Sequence, residues 1–217
     1  MAPQRSQPTQ TARNFDSADR ELAAACREIE ARKTATALTR TGIWKRYHGA
    51  TLATYQPRTE RQKHALDVVT RYVSEDRASR GDGLLFVGEP GGGKTHLQIA
   101  ALRAEMEKGR TARYFAYGEW VLALNATYGA DAQKTEQAFF AELVAVDVLA
   151  IDDFFTVRDG NQYEKLWLLL DLRNRAMKAT LTATNLTIAE ARERIDARTR
   201  RRLSATVVTV DAPKEQA

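Results

Sequence analysis

Gly88-Glu89-Pro90-Gly91-Gly92-Gly93-Lys94-Thr95 matches the phosphate-loop pattern G-x-x-x-x-G-K-[ST]. In such a loop, glycines let backbone N–H groups turn inward and cradle phosphates. The lysine reaches the outer phosphates, and the threonine hydroxyl can ligate Mg²⁺. The flanks agree with this reading. Leu84-Leu85-Phe86-Val87 reads as a short buried strand. Thr95 to Arg103 reads as a helix whose N-terminus points at the anion. The competing reading is a glycine-rich turn without a ligand. Nucleotide binding is the reading that uses the strand, the loop and the helix together.

Outward from the loop, apolar runs alternate with amphipathic ones. Strands are expected at Leu84–Val87, Arg113–Tyr117, Val148–Asp152, Leu181–Thr184 and Val207–Val210. Helices are expected near Thr95–Lys108, Glu119–Thr127, Thr135–Val144, Asn161–Met177 and Thr187–Ile195. This alternation predicts a parallel sheet covered on both faces. Upstream, Asp16 to about Arg40 reads as one helix with apolar positions Leu22, Ala25, Cys26 and Ile29, stopped by Thr41-Gly42. Ile43 to Gln56 is a connector containing Trp44, Tyr47 and Tyr55. A second helix opens at Pro57–Gln62, where Thr59 and Gln62 form a capping box.

The 217 residues, 43 % of them hydrophobic, suffice for one α/β domain with a short extension. The net charge of +5 is compatible with a nucleic-acid partner. Cys26 is the single cysteine, which excludes an internal disulfide and a cysteine-rich zinc module. Its place beside Leu22 and Ile29 predicts a packed core thiol. Met1 to Arg13 is polar and reads as disordered, with no signal-peptide pattern. Leu166–Leu170 is too short to span a bilayer. A soluble, cytoplasmic protein is expected.

Val148-Leu149-Ala150-Ile151-Asp152-Asp153 places two acids at the end of an apolar strand, about 60 residues after the loop. A parallel strand next to the loop would set Asp152 beside the Mg²⁺ site, with Asp153 orienting or deprotonating the attacking water. Glutamate is commoner at that second position, and aspartate is one methylene shorter. The plain alternative is a pair of acids opening a solvated turn. Thr182-Ala183-Thr184-Asn185 ends another apolar strand. Asn185 can bond the attacking water or the γ-phosphate, or serve only as a helix cap. Thr187 and Glu190 already form a capping box for the following helix, which leaves Asn185 for chemistry. Arg192, Arg194, Arg198, Arg200, Arg201 and Arg202 form a basic cluster. It reads as a solvated face, as a source of an arginine finger for a neighbouring subunit, or as a phosphate-binding patch on nucleic acid. Phe154 and Phe155 with Arg158 suit either buried loop packing or base stacking. Tyr114, Phe115, Tyr117 and Trp120 are assigned to the core.

These motifs, in this order, resemble the AAA+ ATPases. More narrowly, they resemble the replicative helicase loaders of the DnaC/DnaI type and the related IstB-type transposition helpers. The resemblance runs from about Ile43 to Val210. It rests on Ile43-Trp44-Lys45-Arg46-Tyr47, on Gly93-Lys94-Thr95-His96-Leu97, and on the run from Ala141 into Asp152-Asp153. Tyr163-Glu164-Lys165, Arg173 and Thr184-Asn185 fit as well. It implies a P-loop NTPase fold of the AAA+ type, with a five-stranded parallel sheet flanked by helices and a short helical N-terminal extension. The implied organisation is a disordered start (1–15), a helical extension and connector (16–56), the ATPase domain (57–212) and a tail (213–217). It implies ATP and Mg²⁺, with Gly88 to His96 on the nucleotide, Thr95 and Asp152 on the metal, and Asp153 and Asn185 in catalysis. Arg202 sits where the family carries its arginine finger, with Arg198 as second choice. The implied partners are single-stranded DNA, a replicative DnaB-type helicase or else a transposase, and further copies of the chain; no membrane is involved. A non-hydrolysing nucleotide-gated adaptor is the rival from another class. Loaders usually carry a separate helicase-binding module, whereas about 40 residues precede Ile43 here.

Overall fold

Apolar residues fill three stretches ending at Val87, Asp152 and Thr184, and a strand that is apolar along its whole length needs cover above and below. The computed structural model describes residues 10–154, 160–187, 189–190, 193 and 205–212. Its strands are β1 (Gly83–Val87), β2 (Ala112–Ala116), β3 (Val148–Asp152), β4 (Ala179–Thr184) and β5 (Ala205–Thr209). Its helices include α1 (Gln10–Thr41), α2 (Glu60–Ser74), α3 (Lys94–Glu107), α4 (Tyr117–Asn125), α5 (Glu136–Ala145) and α6 (Gly160–Arg175). Every residue of β1, β3 and β4 is buried, whereas β2 and β5 are partly exposed edges. All pairings are parallel, in the order β2-β3-β4-β1-β5. The five-stranded parallel sheet with flanking helices is the one expected. The strand carrying Thr184 starts earlier, at Ala179.

One expectation about the sheet is corrected. β3 does not lie next to the loop strand, because β4 stands between β1 and β3. Hydrophobicity marks all three strands as buried and is silent on which one neighbours which. Helix α3 restores the contact. It lies over β3 and β4, and its buried Gln98 donates to Ile151 O at 3.1 Å and Leu181 O at 3.0 Å. Parallel strands put their C-terminal ends on one rim of the sheet, so the phosphate loop, Asp152 and Asn185 share that rim.

The opposite rim is fastened by Arg173, buried on α6. Its guanidinium donates to the carbonyls of Leu143 in the last turn of α5 and Val146 just after it, and to those of Asp147, just before β3, and Ala179, at the start of β4. It also reaches Thr180 Oγ1 at 3.0 Å. Beside it Lys178 meets Asp147 at 2.7 Å, and Asp147 accepts from the Thr111 N–H at 2.9 Å. Between these rims lies a core that includes Phe115, Trp120, Phe139, Ile151 and Phe154. The assignment of Tyr114, Phe115, Tyr117 and Trp120 to the core holds.

Packing divides the chain into two compact units, Met1–Arg40 and Thr41–Ala217. Helix α1 begins at Gln10, six residues before the expected Asp16. On it Cys26 is exposed and Ile29 is 53 % exposed, so the expected core thiol is not found. Small and charged residues dominate this helix. Ion pairs along its surface, such as Arg32 with Glu28 at 2.7 Å, help hold it where an apolar stripe is sparse. No helix among the described residues is long and apolar enough to cross a membrane. Phe155, Arg158, the arginines from Arg192 to Arg202, and the tail 213–217 lie outside the described residues.

Candidate functional site

The loop leaves β1 through Gly88, whose φ of +147° brings it against Val210, just after β5. A Cβ there would lie 1.7 Å from Val210 O, so only glycine fits. Glu89, Pro90 and Gly91 are exposed and Gly92 is buried. Lys94 and Thr95 then open α3. Lys94 is buried, and its ammonium donates to Glu89 O at 2.7 Å, folded back onto the loop itself. Burial lowers its pKa, and the carboxylates of Asp152, Asp153 and Glu89 oppose that shift.

Thr95 Oγ1 donates to Asp152 Oδ2 at 2.7 Å, so loop and acid meet across the intervening strand. Tyr114 OH, from β2, donates to the same oxygen at 3.2 Å. Trp44 packs edge-on against the Tyr114 ring and anchors its own Nε1 on Glu119 at 2.8 Å. The Asp153 N–H closes the set on Asp152 Oδ1 at 2.9 Å. Asp153 itself holds a left-handed backbone with φ of 55°, unusual for any residue but glycine and tolerated best by Asn and Asp. Asn185 Nδ2 donates to Asp153 Oδ1 at 2.8 Å. Burial and the neighbouring Asp152 charge raise the Asp153 pKa, while the Asn185 donor and the Lys94 charge hold it back.

The structure therefore brings Lys94, Thr95, Asp152, Asp153 and Asn185 to one rim. The capping box of Thr187 with Glu190 forms as read, which leaves Asn185 on Asp153. Among the described residues, no three His, Cys, Asp or Glu side chains converge as a metal cage. A hydroxyl beside one carboxylate suits Mg²⁺, which keeps waters and takes the rest of its ligands from phosphates. His96 is engaged elsewhere. Its ring Nε2 meets Thr51 O at 3.0 Å, and Tyr55 lies edge-on at 5.3 Å. Phe154 is buried against Trp167, the packing role of its two readings. Arg202 and Arg198 fall outside the described residues.

Residues 9–200 match the family of IstB-like ATP binding proteins. The chain belongs to that family. It is 26 % identical to the replicative helicase loader DnaC of Escherichia coli K12 over 166 residues, covering 76 % of this chain and 66 % of DnaC. It spans less than two thirds of the curated relatives first matched, which also include a 59 % share of the uncharacterized E. coli protein YdaV. Among solved structures, the DnaC helicase loader superposes with a TM-score of 0.64 at 29 % identity, over 77 % of this chain and 99 % of that one. The likeness establishes the AAA+ P-loop fold for this IstB-like chain.

Sequence reading missed three contributors. Tyr114 was assigned to the core for its ring, and its hydroxyl sits on Asp152. A tyrosine in a core place where phenylalanine would do signals a hydroxyl with a partner. Tyr55 and Gln62 were read as a connector aromatic and a cap, and both bond the phosphate loop at Gly92 O. Thr59 caps α2 as expected, but the Gln62 side-chain Oε1 accepts from the Arg58 N–H at 2.7 Å, one residue before the position a capping box uses.

Proposed function

We propose that the chain is an AAA+ ATP hydrolase that assembles on single-stranded DNA and delivers a replicative DnaB-type helicase in the cytoplasm. The observation carrying this reading is the pair of contacts Thr95 to Asp152 and Asn185 to Asp153 on the rim of the sheet beside the phosphate loop. Residues 57–212 form the ATPase domain. Gly88 to Thr95 receive the phosphates, and Lys94 leaves Glu89 O to neutralise the outer ones. Thr95 and Asp152 hold Mg²⁺, which supplies positive charge against the phosphate oxygens. Asn185 fixes the Asp153 carboxylate, which orients a water and accepts its proton. Arg202 completes the site of the next subunit and makes turnover depend on assembly. His96 acts by bracing the connector at Thr51 and Tyr55. The basic cluster and the net charge of +5 support DNA binding that is sequence-tolerant and weakens steeply with salt.

Likeness to DnaC supports the helicase as partner. A second reading keeps the same engine with a transposase partner, and the IstB-like family match favours it. Retention assays on the purified chain, with and without Mg-ATP, separate the two. The helicase is expected to be retained in the presence of Mg-ATP. Retention of a transposase alone selects the second reading, and retention of neither refutes the loader.

A further inference from the structure

The phosphate loop carries three consecutive glycines, Gly91, Gly92 and Gly93. Such a run is soft: with no Cβ on either side, the peptide between Gly92 and Gly93 can rotate about its flanking bonds at little steric cost. Its orientation matters for anion binding. In a trans peptide the C=O and the next N–H point to opposite sides. The face that shows Gly92 O therefore fixes the face that shows the Gly93 N–H. Flipping this peptide would replace a donor by an acceptor in front of a phosphate.

Two buried side chains occupy the outer face. Tyr55 OH donates to Gly92 O at 3.1 Å, and Gln62 Nε2 donates to it at 3.4 Å. Both residues belong to the segment before and at the start of α2. Tyr55 is 8 % and Gln62 3 % exposed. Neither is loosely placed. The Gln62 amide also donates to Asp211 O at 2.8 Å and accepts from the Arg58 N–H at 2.7 Å, which fixes which end is nitrogen. The Tyr55 ring lies under Gly93 so closely that a Cβ there would come within 2.7 Å of it. A Cβ at Gly91 would meet nothing within 4 Å. Burial raises the Tyr55 pKa to about 12, so its hydroxyl stays a donor at neutral pH.

We infer that Tyr55 and Gln62 form a latch that holds the phosphate loop in its anion-binding shape by saturating the Gly92 carbonyl. Both are positioning residues: they touch the loop and leave the phosphates to it. The inference rests on the nucleotide-binding reading above, and the experiment separates the two. Inorganic pyrophosphate is the probe, because it reports on the loop without a base or sugar, alongside Mg-ATP.

Tyr55→Phe keeps the ring and removes the hydroxyl. Its affinity for pyrophosphate and for Mg-ATP is expected to fall by the same factor, about fivefold, the worth of one neutral hydrogen bond. The Tyr55→Phe, Gln62→Met double variant is expected to lose more than the product of the single losses, since the peptide is then unheld. Tyr72→Phe is the control. Tyr72 is also buried, and its hydroxyl donates to a carbonyl, Asp82 O, at 2.7 Å, away from the loop. That variant is expected to lower the melting temperature of the ligand-free protein and leave both affinities unchanged. Should Gln62→Met disturb folding through its ties to Asp211, Tyr55→Phe alone decides. Wild-type affinity for pyrophosphate in Tyr55→Phe overturns the latch while leaving nucleotide binding intact. A wild-type protein that binds neither probe refutes the nucleotide reading and the latch together.

Discussion

Asp152 receives the hydroxyls of Thr95 and Tyr114 on one oxygen and the Asp153 N–H on the other. A carboxylate held from both sides is already ordered, so the metal role proposed for Asp152 would cost little further ordering. In the proposed role, Lys94 exchanges the Glu89 carbonyl for a phosphate. Mg-ATP at 100 times its dissociation constant should add about 2.7 kcal/mol to the stability of the protein. Lys94→Ala should erase that gain in a thermal-shift measurement; a full shift in the variant refutes the assignment. Asn185→Ala separates binding from chemistry. Turnover should drop about 100-fold, the scale of a lost proton-transfer contribution, with the thermal shift retained. Loss of the shift instead would make Asn185 a structural residue. That the loop, the two acids and Asn185 stand together was legible in the sequence, because polar residues and a glycine run stand out at the ends of apolar strands. Tyr55, Gln62 and Tyr114 were not, because a tyrosine or glutamine gains its role only from where the fold delivers its polar end.

At the scale of elements, the strands and helices could be read from periodicity, and their neighbours could not. The interposed β4 shows why: β1, β3 and β4 are buried at every position, so no alternation of polar residues marks an edge. The rim opposite the site depends on α6 through Arg173. Arg173→Met strands the carbonyls of Leu143, Val146, Asp147 and Ala179. At about 1–3 kcal/mol for each buried carbonyl left without a donor, the expected cost is about 3–5 kcal/mol in denaturant unfolding, with an unchanged slope. Arg173→Lys should rescue little, since one ammonium cannot serve that fork. A loss under about 1 kcal/mol would refute the fastening role. Asp147, on the same rim, is held down to about 2 from 3.8 by Lys178 and by the Thr111 hydroxyl and N–H. A carboxylate depressed in the folded state stabilises above its unfolded pKa and loses that contribution as pH falls through the folded one. Asp147→Asn should therefore flatten the stability loss between pH 3.8 and about 2. An equally steep loss in the variant assigns the acid sensitivity to other groups. Asp147 is partly exposed, so high salt should shrink the effect.

For the whole molecule, the question is whether Arg202 acts on a neighbouring copy, as proposed above. The trans role proposed for Arg202 is tested by mixing variants. Arg202→Ala and Asp153→Asn proteins should each be nearly inactive, with a loss of about 10³–10⁵ in turnover for the arginine. Mixed together they should regain activity, because some interfaces then pair an intact Arg202 with an intact Asp153. No recovery from two folded, assembling variants refutes action in trans, and Arg198→Ala is the control. The division at Arg40 lets the other end of the chain be tested in the same assembly. Cys26 is the single cysteine of the sequence, and it is exposed on α1. A maleimide dye will therefore attach at one known point without any engineered change. Its emission and its labelling rate become a footprint of whatever covers α1, recorded on the native chain, while the ATPase unit keeps every residue it had.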